Sequence, residues 1–572
     1  MLVTQLHPAA LSPANPLPLA LLPHQVTDAS LQDFLSRPVR TRLTPAHDLP
    51  LVRPFEVAAR LKGVLTASQW LEGASPYRAL QEMLAAEPAS DVLQLTISTG
   101  RIPLQHDGWK PALGAERNGR AALEVSLHGV TDRVSPFETI STNRPLLRWF
   151  EQWLEKKSLS AETFFKLGGK MSLLECNQFL LTVKPTVAVT QTYRGTTLVP
   201  ADAEPKALAD KVIGGISRWF MTNQAEDGSL PYKYWPSAGT YSTADNPIRR
   251  LMASVVFNRL AKSLGRQDIR VAARRNLAFN MKRFYEVREG EGMIAWDGSV
   301  KLGAIAMAGL AISESPFRPE WSSELAELKA TTIRMWQSSG AFRTFLYPPD
   351  RNDNQNFYPG EALLFWTTLL SQEYDAELLF RTLKSVAYYK DRFRKRPNPA
   401  FVPWHTQAVT MLFRMTGDAS LRDYVFEMND WLLAHQQWGG TLEQDYWGRF
   451  YTPDKPEYGP PHASATGVYL EGLVDAMWLA REAGDETRHA AYAAAIQRGI
   501  RSIAQLQFTG KADTFYISRK ERVTGAVRTE SDNNEIRIDN MQHALAALLK
   551  FQDYHTHFDS LPAAATAAGA SR

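Results

Sequence analysis

The sequence predicts a mainly α fold: an (α/α)6-type toroid over residues 201–572, with a smaller α+β domain before it. Three observations predict it. Beyond residue 205, amphipathic segments alternate with segments that are apolar on nearly every side. The connections between them alternate as well, short in one direction and mostly long in the other. Before residue 200 that rhythm is missing, and runs of alternating apolar and polar residues take its place.

The chain opens on a Pro-rich segment, residues 1–27, interrupted by Pro8, Pro13, Pro16, Pro18 and Pro23. It lacks the basic start and unbroken apolar stretch of a secretory signal. Residues 28–200 follow as an α+β domain. Asp91 to Ser98 and Ala122 to Leu127 alternate as half-buried strands do. Leu180 to Thr197 is rich in Val and Thr and reads as a hairpin turning at Tyr193-Arg194-Gly195. Arg144 to Lys157 sets Leu146, Leu147, Phe150, Trp153 and Leu154 on one helical face. This domain carries no recognisable chemistry, so a structural or substrate-positioning role is expected of it.

In the toroid region the amphipathic segments are Lys206 to Asn223, Ile269 to Glu286, Glu324 to Gln337, Ala376 to Arg392, Leu421 to Gln436 and Arg488 to Gln507. Between them lie the apolar ones: Leu251 to Leu264, Leu302 to Ile312, Ala362 to Leu370, Val402 to Phe413, Ala463 to Ala480 and Met541 to Phe551. A helix apolar on every face is buried on every face, so the alternation closes as two concentric rings. Connections from inner to outer helices are short and carry the Gly and Asp of helix exits and caps, as in Thr416-Gly417-Asp418 and Ala483-Gly484-Asp485. Those from outer to inner helices are mostly long, 224–246, 288–300, 338–357, 438–462 and 509–535, with a short one leading to Trp404-His405. Long loops in compact domains usually carry function. All of them lie above the inner-helix N-termini, where free N–H groups and the positive dipole end favour anions.

The expected site is therefore that mouth. Its catalytic candidates are Glu361, Arg537, Tyr358, Asp245 and Glu471. Its substrate-binding candidates are Tyr232, Tyr234, Trp235, Arg249, Trp296, Asp297, His405, Asp539 and His543. Aromatic faces stack on the C–H faces of sugars, and carboxylates and amides bond their hydroxyls. Paired carboxylates are also what glycoside cleavage uses. Single residues have plainer readings beside these. Asp245-Asn246-Pro247 is equally a helix start. Asp297 and Asp539 are equally caps, and Arg537 is equally a partner for Asp539 or Glu535. His405, in a buried helix, is equally a core histidine. Glu361 and Glu471 enter apolar helices, where an unpaired carboxylate is costly, and each is either catalytic or half of an ion pair. Glu361 and Arg537 are expected to face the cavity near Tyr232, Tyr234 and Asp245, with desolvation raising the Glu361 pKa.

Composition narrows the classes. At 572 residues the chain exceeds a single hydrophobic core. A formal charge of +4 over that length argues against a nucleic-acid or acidic-membrane partner. One cysteine, Cys176, excludes an intrachain disulfide and a cysteine-rich metal centre. No segment has the roughly 18 apolar residues that span a bilayer. The expectation is a cytoplasmic protein with no metal or cofactor and a small-molecule or oligosaccharide substrate.

Two motifs carry a resemblance. Tyr358-Pro359-Gly360-Glu361-Ala362-Leu363-Leu364 and the segment Arg537-Ile538-Asp539-Asn540-Met541-Gln542-His543 through Leu548 resemble stretches of α/α-toroid sugar enzymes. The likeness is nearest to the C-terminal domain of D-glucuronyl C5-epimerases and their relatives in the six-hairpin glycosidase superfamily. It covers roughly Lys206 to Tyr554. In those epimerases tyrosines, a glutamate and an arginine handle the proton at C5. The resemblance implies such roles for Tyr358, Glu361 and Arg537, with Tyr232 or Tyr234. Lanthionine cyclases share the toroid but need a Cys/His zinc site, which Cys176 alone, outside the toroid, does not supply. The function expected is carbohydrate chemistry at the toroid mouth, by epimerisation or glycoside cleavage. The other reading is a non-catalytic toroid that binds a saccharide or a protein. Two titratable groups within reach of one bound ring would mark a catalyst.

Overall fold

The computed structural model describes residues 20–38 and 41–560, so most of the Pro-rich opening lies outside the described residues. The chain divides into two compact units: residues up to 197 together with 515–518, and residues 198–514 with 519 onward.

The first unit is built on a seven-stranded sheet. Its strands are β1 (Phe55–Leu61), β2 (Val64–Leu71), β3 (Val92–Leu104), β4 (Ala121–Leu127), β5 (Val130–Val134), β6 (Lys170–Thr182) and β7 (Ala188–Thr192). The order is β2-β1-β3-β6-β4-β5, with β7 also beside β6 and every pairing antiparallel. Its helices are α1 (Asp28–Ser36), α2 (Pro76–Ala86), α3 (Trp109–Ala112), α4 (Pro136–Thr142), α5 (Leu146–Lys156) and α6 (Ala161–Lys166). Leu31 and Phe34 of α1 and Tyr77 and Leu80 of α2 share a core with Val57, Leu95 and Phe179 of the sheet. Phe150 and Trp153 of α5 and Phe164 of α6 share a second with Leu123, Val125 and Leu173. The hairpin expected to turn at Tyr193-Arg194-Gly195 turns earlier, between Thr182 and Ala188. Pro185 falls in that gap, and proline has no N–H to give a ladder. The expected turn survives only as a small bridge between Tyr193 and Thr196.

The second unit holds α7 (Pro205–Asn223), α8 (Pro247–Leu264), α9 (Gln267–Phe284), α10 (Leu302–Ser313), α11 (Ser322–Arg334), α12 (Tyr358–Gln372), α13 (Ala376–Lys395), α14 (Val402–Thr416), α15 (Ala419–Leu433), α16 (Ala463–Glu482), α17 (Glu486–Leu506) and α18 (Ile538–Asp559). Each even-numbered helix packs on the next, and α18 returns to pack on α8, so the inner ring closes. The odd-numbered helices lie outside, α9 on α8 and so on round to α7 on α18. Every residue of α10 is buried, which is why it reads as apolar all round. The long connections are not bare loops. They contain β8 (Lys233–Trp235), β9 (Thr240–Tyr241), β10 (Tyr285–Arg288), β11 (Glu291–Trp296), β12 (Ser299–Lys301), β13 (Phe345–Tyr347), β14 (Arg528–Glu530) and β15 (Asn533–Arg537). These form two small sheets, β10-β11-β12-β13 and β14-β15-β8-β9. The second ties the first long connection to the last.

A repeated clip links neighbouring outer helices. Beyond α7, the Gln224 amide donates to Gly228 O and, at 2.8 Å, to Ala272 O of α9. Beyond α15, Gln436 donates to Gly448 O and, at 2.8 Å, to Ala495 O of α17. Beyond α17, Gln507 donates to Gly525 O and to Val212 O of α7, both at 3.0 Å. Each glycine sits at a φ of +93° to +97° with its α-carbon pressed on the backbone one turn further along the same neighbour: Arg275, Arg498 and Gly215. A Cβ there would strike a carbonyl and would also need a left-handed backbone. Gly448→Ala is therefore expected to cost more than about 3 kcal/mol in chemical denaturation. Gly484→Ala, at φ +68° in open space, should cost only about 1 kcal/mol. Equal losses would show that the contact with α17 contributes nothing.

Candidate functional site

The long connections and the first turns of the inner helices enclose a cavity of about 390 Å³. Its wall includes Arg249 of α8, Tyr358 and Glu361 of α12, Trp404 of α14, His435 after α15, His462 and Tyr469 at α16, and Asp539 and His543 of α18.

Glu361 stands in the first turn of α12, only 4% exposed. Its Oε2 has no hydrogen-bond partner among the described residues. Burial pushes its pKa up to about 8, so the carboxyl is neutral at physiological pH. The space it occupies exists because residue 303 is glycine. A Cβ there would collide with the Glu361 carboxylate and the Tyr358 ring. Burial and the neighbouring Glu361 both raise the Tyr358 phenol above its ordinary value, so it is a proton donor as well.

Asp539 is driven the other way. Burial alone would raise it, but Arg249 and Arg537 outweigh that and hold it down at about 2. Arg537 reaches it through Nε at 3.0 Å and Nη2 at 2.8 Å, and Arg249 Nε lies 3.0 Å away. Arg249 is in turn bonded to the Tyr232 hydroxyl at 2.5 Å. Two guanidinium groups on one carboxylate leave a net positive charge beside the cavity.

His543 points its Nδ1 at Glu471 Oε1, 2.7 Å away. Glu471 is fully buried on α16, and its Oε2 has no partner among the described residues. A carboxylate on Nδ1 fixes that nitrogen as the donor and leaves Nε2 as the basic one. His462 caps α16, its Nδ1 accepting from Ala465 N at 3.0 Å.

Of the sequence candidates, Glu361, Tyr358, Arg249, Asp539 and His543 thus share one cavity wall. Arg537, Glu471 and Tyr232 stand one bond behind it, against Asp539, His543 and Arg249. The others are elsewhere, contrary to the expectation that Tyr234 and Asp245 sit near Glu361. Asp245 is taken up by Arg250 at 2.6 Å and Arg283 at 3.2 Å, tying down the start of α8. The Tyr234 ring is buried against Tyr241. Trp235 Nε1 donates to Glu535 at 3.0 Å within the small sheet. Trp296 packs edge-on against Phe284, under Arg283. Asp297 makes the turn between β11 and β12 at φ +50°. His405 lies in the core, stacked on Phe401 with ring centroids 3.6 Å apart. Neither of its nitrogens has a partner among the described residues, and burial holds its pKa down at about 3. It packs as a neutral ring.

His435 and Tyr469 on the wall were not foreseen. His435 directly precedes the clip residue Gln436, which fixes where the fourth long connection begins; that adjacency was the available signal. Among the described residues no group of three or more His, Cys, Asp or Glu side chains is placed to hold a metal ion. No helix among them is long and apolar enough to cross a membrane.

No family model matches the chain, and no curated protein matches it. Solved structures that match include sugar enzymes. An alpha-1,6-mannanase from Salegentibacter is 10% identical with a TM-score of 0.45, over 61% of this chain and 100% of that one. An unsaturated glucuronyl hydrolase specific for heparin is 12% identical with a TM-score of 0.44, over 62% and 98%. The cellobiose 2-epimerase of Bacillus thermoamylovorans is 10% identical with a TM-score of 0.44, over 60% and 98%. At these identities and scores the likeness says nothing of the chemistry, which rests on the side chains of the cavity.

Proposed function

We propose that the chain is a carbohydrate-active enzyme that moves a proton at a carbon of a uronic-acid sugar, with Glu361 as acid and His543 as base. One observation carries this reading. A carboxyl held neutral by burial and an imidazole oriented by a buried carboxylate line the same cavity. A purely binding toroid has no need of such a pair. The hydrogen at C5 of a uronate is acidified by the adjacent carboxylate. His543 Nε2 takes it, and negative charge spreads onto the carboxylate oxygens. Glu361 returns a proton to the opposite face, inverting the carbon. Solvent then resets both groups. Arg249, on the wall, supplies positive charge for the substrate carboxylate. Glycoside cleavage through Glu361 and Asp539 is less well supported, because guanidinium groups already occupy both oxygens of Asp539. A single, buried cysteine supports a cytoplasmic location.

Incubation with glucuronate-bearing oligosaccharides in deuterium oxide should place deuterium at C5. Release of reducing ends without deuterium would favour cleavage instead. The rate should fall as pH rises through about 8, where Glu361 loses its proton. Glu361→Gln should abolish turnover.

The sign for stability follows from the same shift. The folded state holds this proton up to about 8, the unfolded chain only to 4.5. The stabilisation is complete below 4.5 and is lost as pH rises through about 8. Glu361→Gln removes that loss, so near pH 8 the variant should be more stable than the parent by about 1 kcal/mol or more. A less stable variant with activity per folded molecule unchanged would make Glu361 structural.

A further inference from the structure

His462 has a use beyond capping α16. Its Nδ1 accepts the backbone N–H of Ala465 at 3.0 Å and lies 2.8 Å from Ser464 Oγ. The Ser464 oxygen itself accepts from Arg537 Nη2 at 3.2 Å, so its own proton is free to point at the imidazole. Nδ1 therefore meets two donors and must be unprotonated. The single ring proton is left on Nε2, on a side chain that lines the cavity beside Asp539 and His543.

We infer that His462 is a further catalytic residue: an uncharged imidazole, locked in one tautomer, whose Nε2–H donates a hydrogen bond to the substrate oxygen on which charge builds. This rests on the proton-transfer reading above. When His543 removes the carbon-bound proton, the electron pair moves onto the carboxylate, and a fixed donor there stabilises the enolate without giving up its own proton. The surroundings keep the ring neutral. Burial, with Arg537, Arg249 and His543 acting the same way and Asp539 against them, lowers its pKa to about 4. A neutral imidazole is the better match for this task, since an imidazolium would tend to hand over its proton and trap the intermediate. Ser464 and Arg537 act through His462 and are positioning residues.

The first test needs no substrate. In protein carrying isotope-labelled histidine, a long-range proton–nitrogen spectrum should show the His462 ring neutral with its proton on Nε2 from about pH 5 to about pH 8. The His462→Asn spectrum assigns the signal. Asparagine can still cap α16 through its side-chain oxygen, so the variant should keep its melting temperature. An imidazolium at pH 6, or a proton on Nδ1, would overturn the assignment. The second test uses glucuronate-bearing oligosaccharides in deuterium oxide. His462→Asn should lower kcat about 100-fold or more with little change in KM. Ser464→Ala should lower it less and admit the other tautomer. Unchanged kcat in His462→Asn would also overturn the assignment. Should the parent exchange no deuterium into any of these glycans, the proton-transfer reading and the catalytic role that rests on it fail together. The spectrum then decides only whether the locked neutral ring exists.

Discussion

An inner helix that is apolar on every side is stable only inside a closed ring, and closure depends on what the outer helices can grip. The clips supply part of that grip. A glutamine amide just beyond one outer helix, and a glycine α-carbon later in the same connection, lie on two carbonyls one turn apart on the next. Both contacts end on backbone of the next helix, so they tolerate different side chains along it. At α17 the clip reaches back to α7 and joins residues almost 300 positions apart. The clips also set the starting point of three of the long connections, those after α7, α15 and α17.

Within that mouth the electrostatics follow from counting partners. Glu361 and Asp539 are both nearly fully buried carboxyl groups at the start of an inner helix. One has no partner for its outer oxygen and is pushed up to about 8; the other has two guanidinium groups and is held at about 2. The same desolvation acts on both, and only the neighbouring cations separate them. One chemical group, the carboxyl, thus serves as a neutral acid in one place and a fixed anion in another. The anion's use is to hold Arg249 and Arg537 in position: Arg249 on the wall, and Arg537 behind it steering Ser464 and, through it, His462.

Most of the toroid was legible because burial writes itself into composition. Segments such as Leu302 to Ile312 have no polar face to present to water, and all of α10 is indeed buried. Glu361 was legible for the same reason, as a carboxylate out of place in an apolar run. Tyr234, Trp235, Trp296 and Asp245 misled because aromatic and acidic loop residues also build the small sheets and ion pairs that shape the mouth from outside. Position along the chain does not say which way such a side chain turns. The clips escaped notice because glutamine and glycine recur at unequal spacing, 4, 12 and 18 residues apart. Their regularity is in space rather than in sequence.

The helix starts show a last division of labour. Four of the six outer helices, α7, α13, α15 and α17, begin with Glu204, Asp375, Asp418 and Asp485, each accepting from a backbone N–H of the first turn, while α9 and α11 begin uncapped at Arg266 and Trp321. Inner helices α10, α12, α14 and α18 begin at Lys301, Phe357, Phe401 and Arg537 with no side-chain cap. A carboxylate cap stabilises a helix by about 1 kcal/mol, so each inner start forgoes that much. Capping carboxylates there would quench the positive dipole ends next to the cavity. Arginine and lysine at two of these positions reinforce the field instead. Where a polar cap does occur in the inner ring, at Asn246 and His462, the residue is neutral. The mouth therefore forgoes helix stability to remain electropositive.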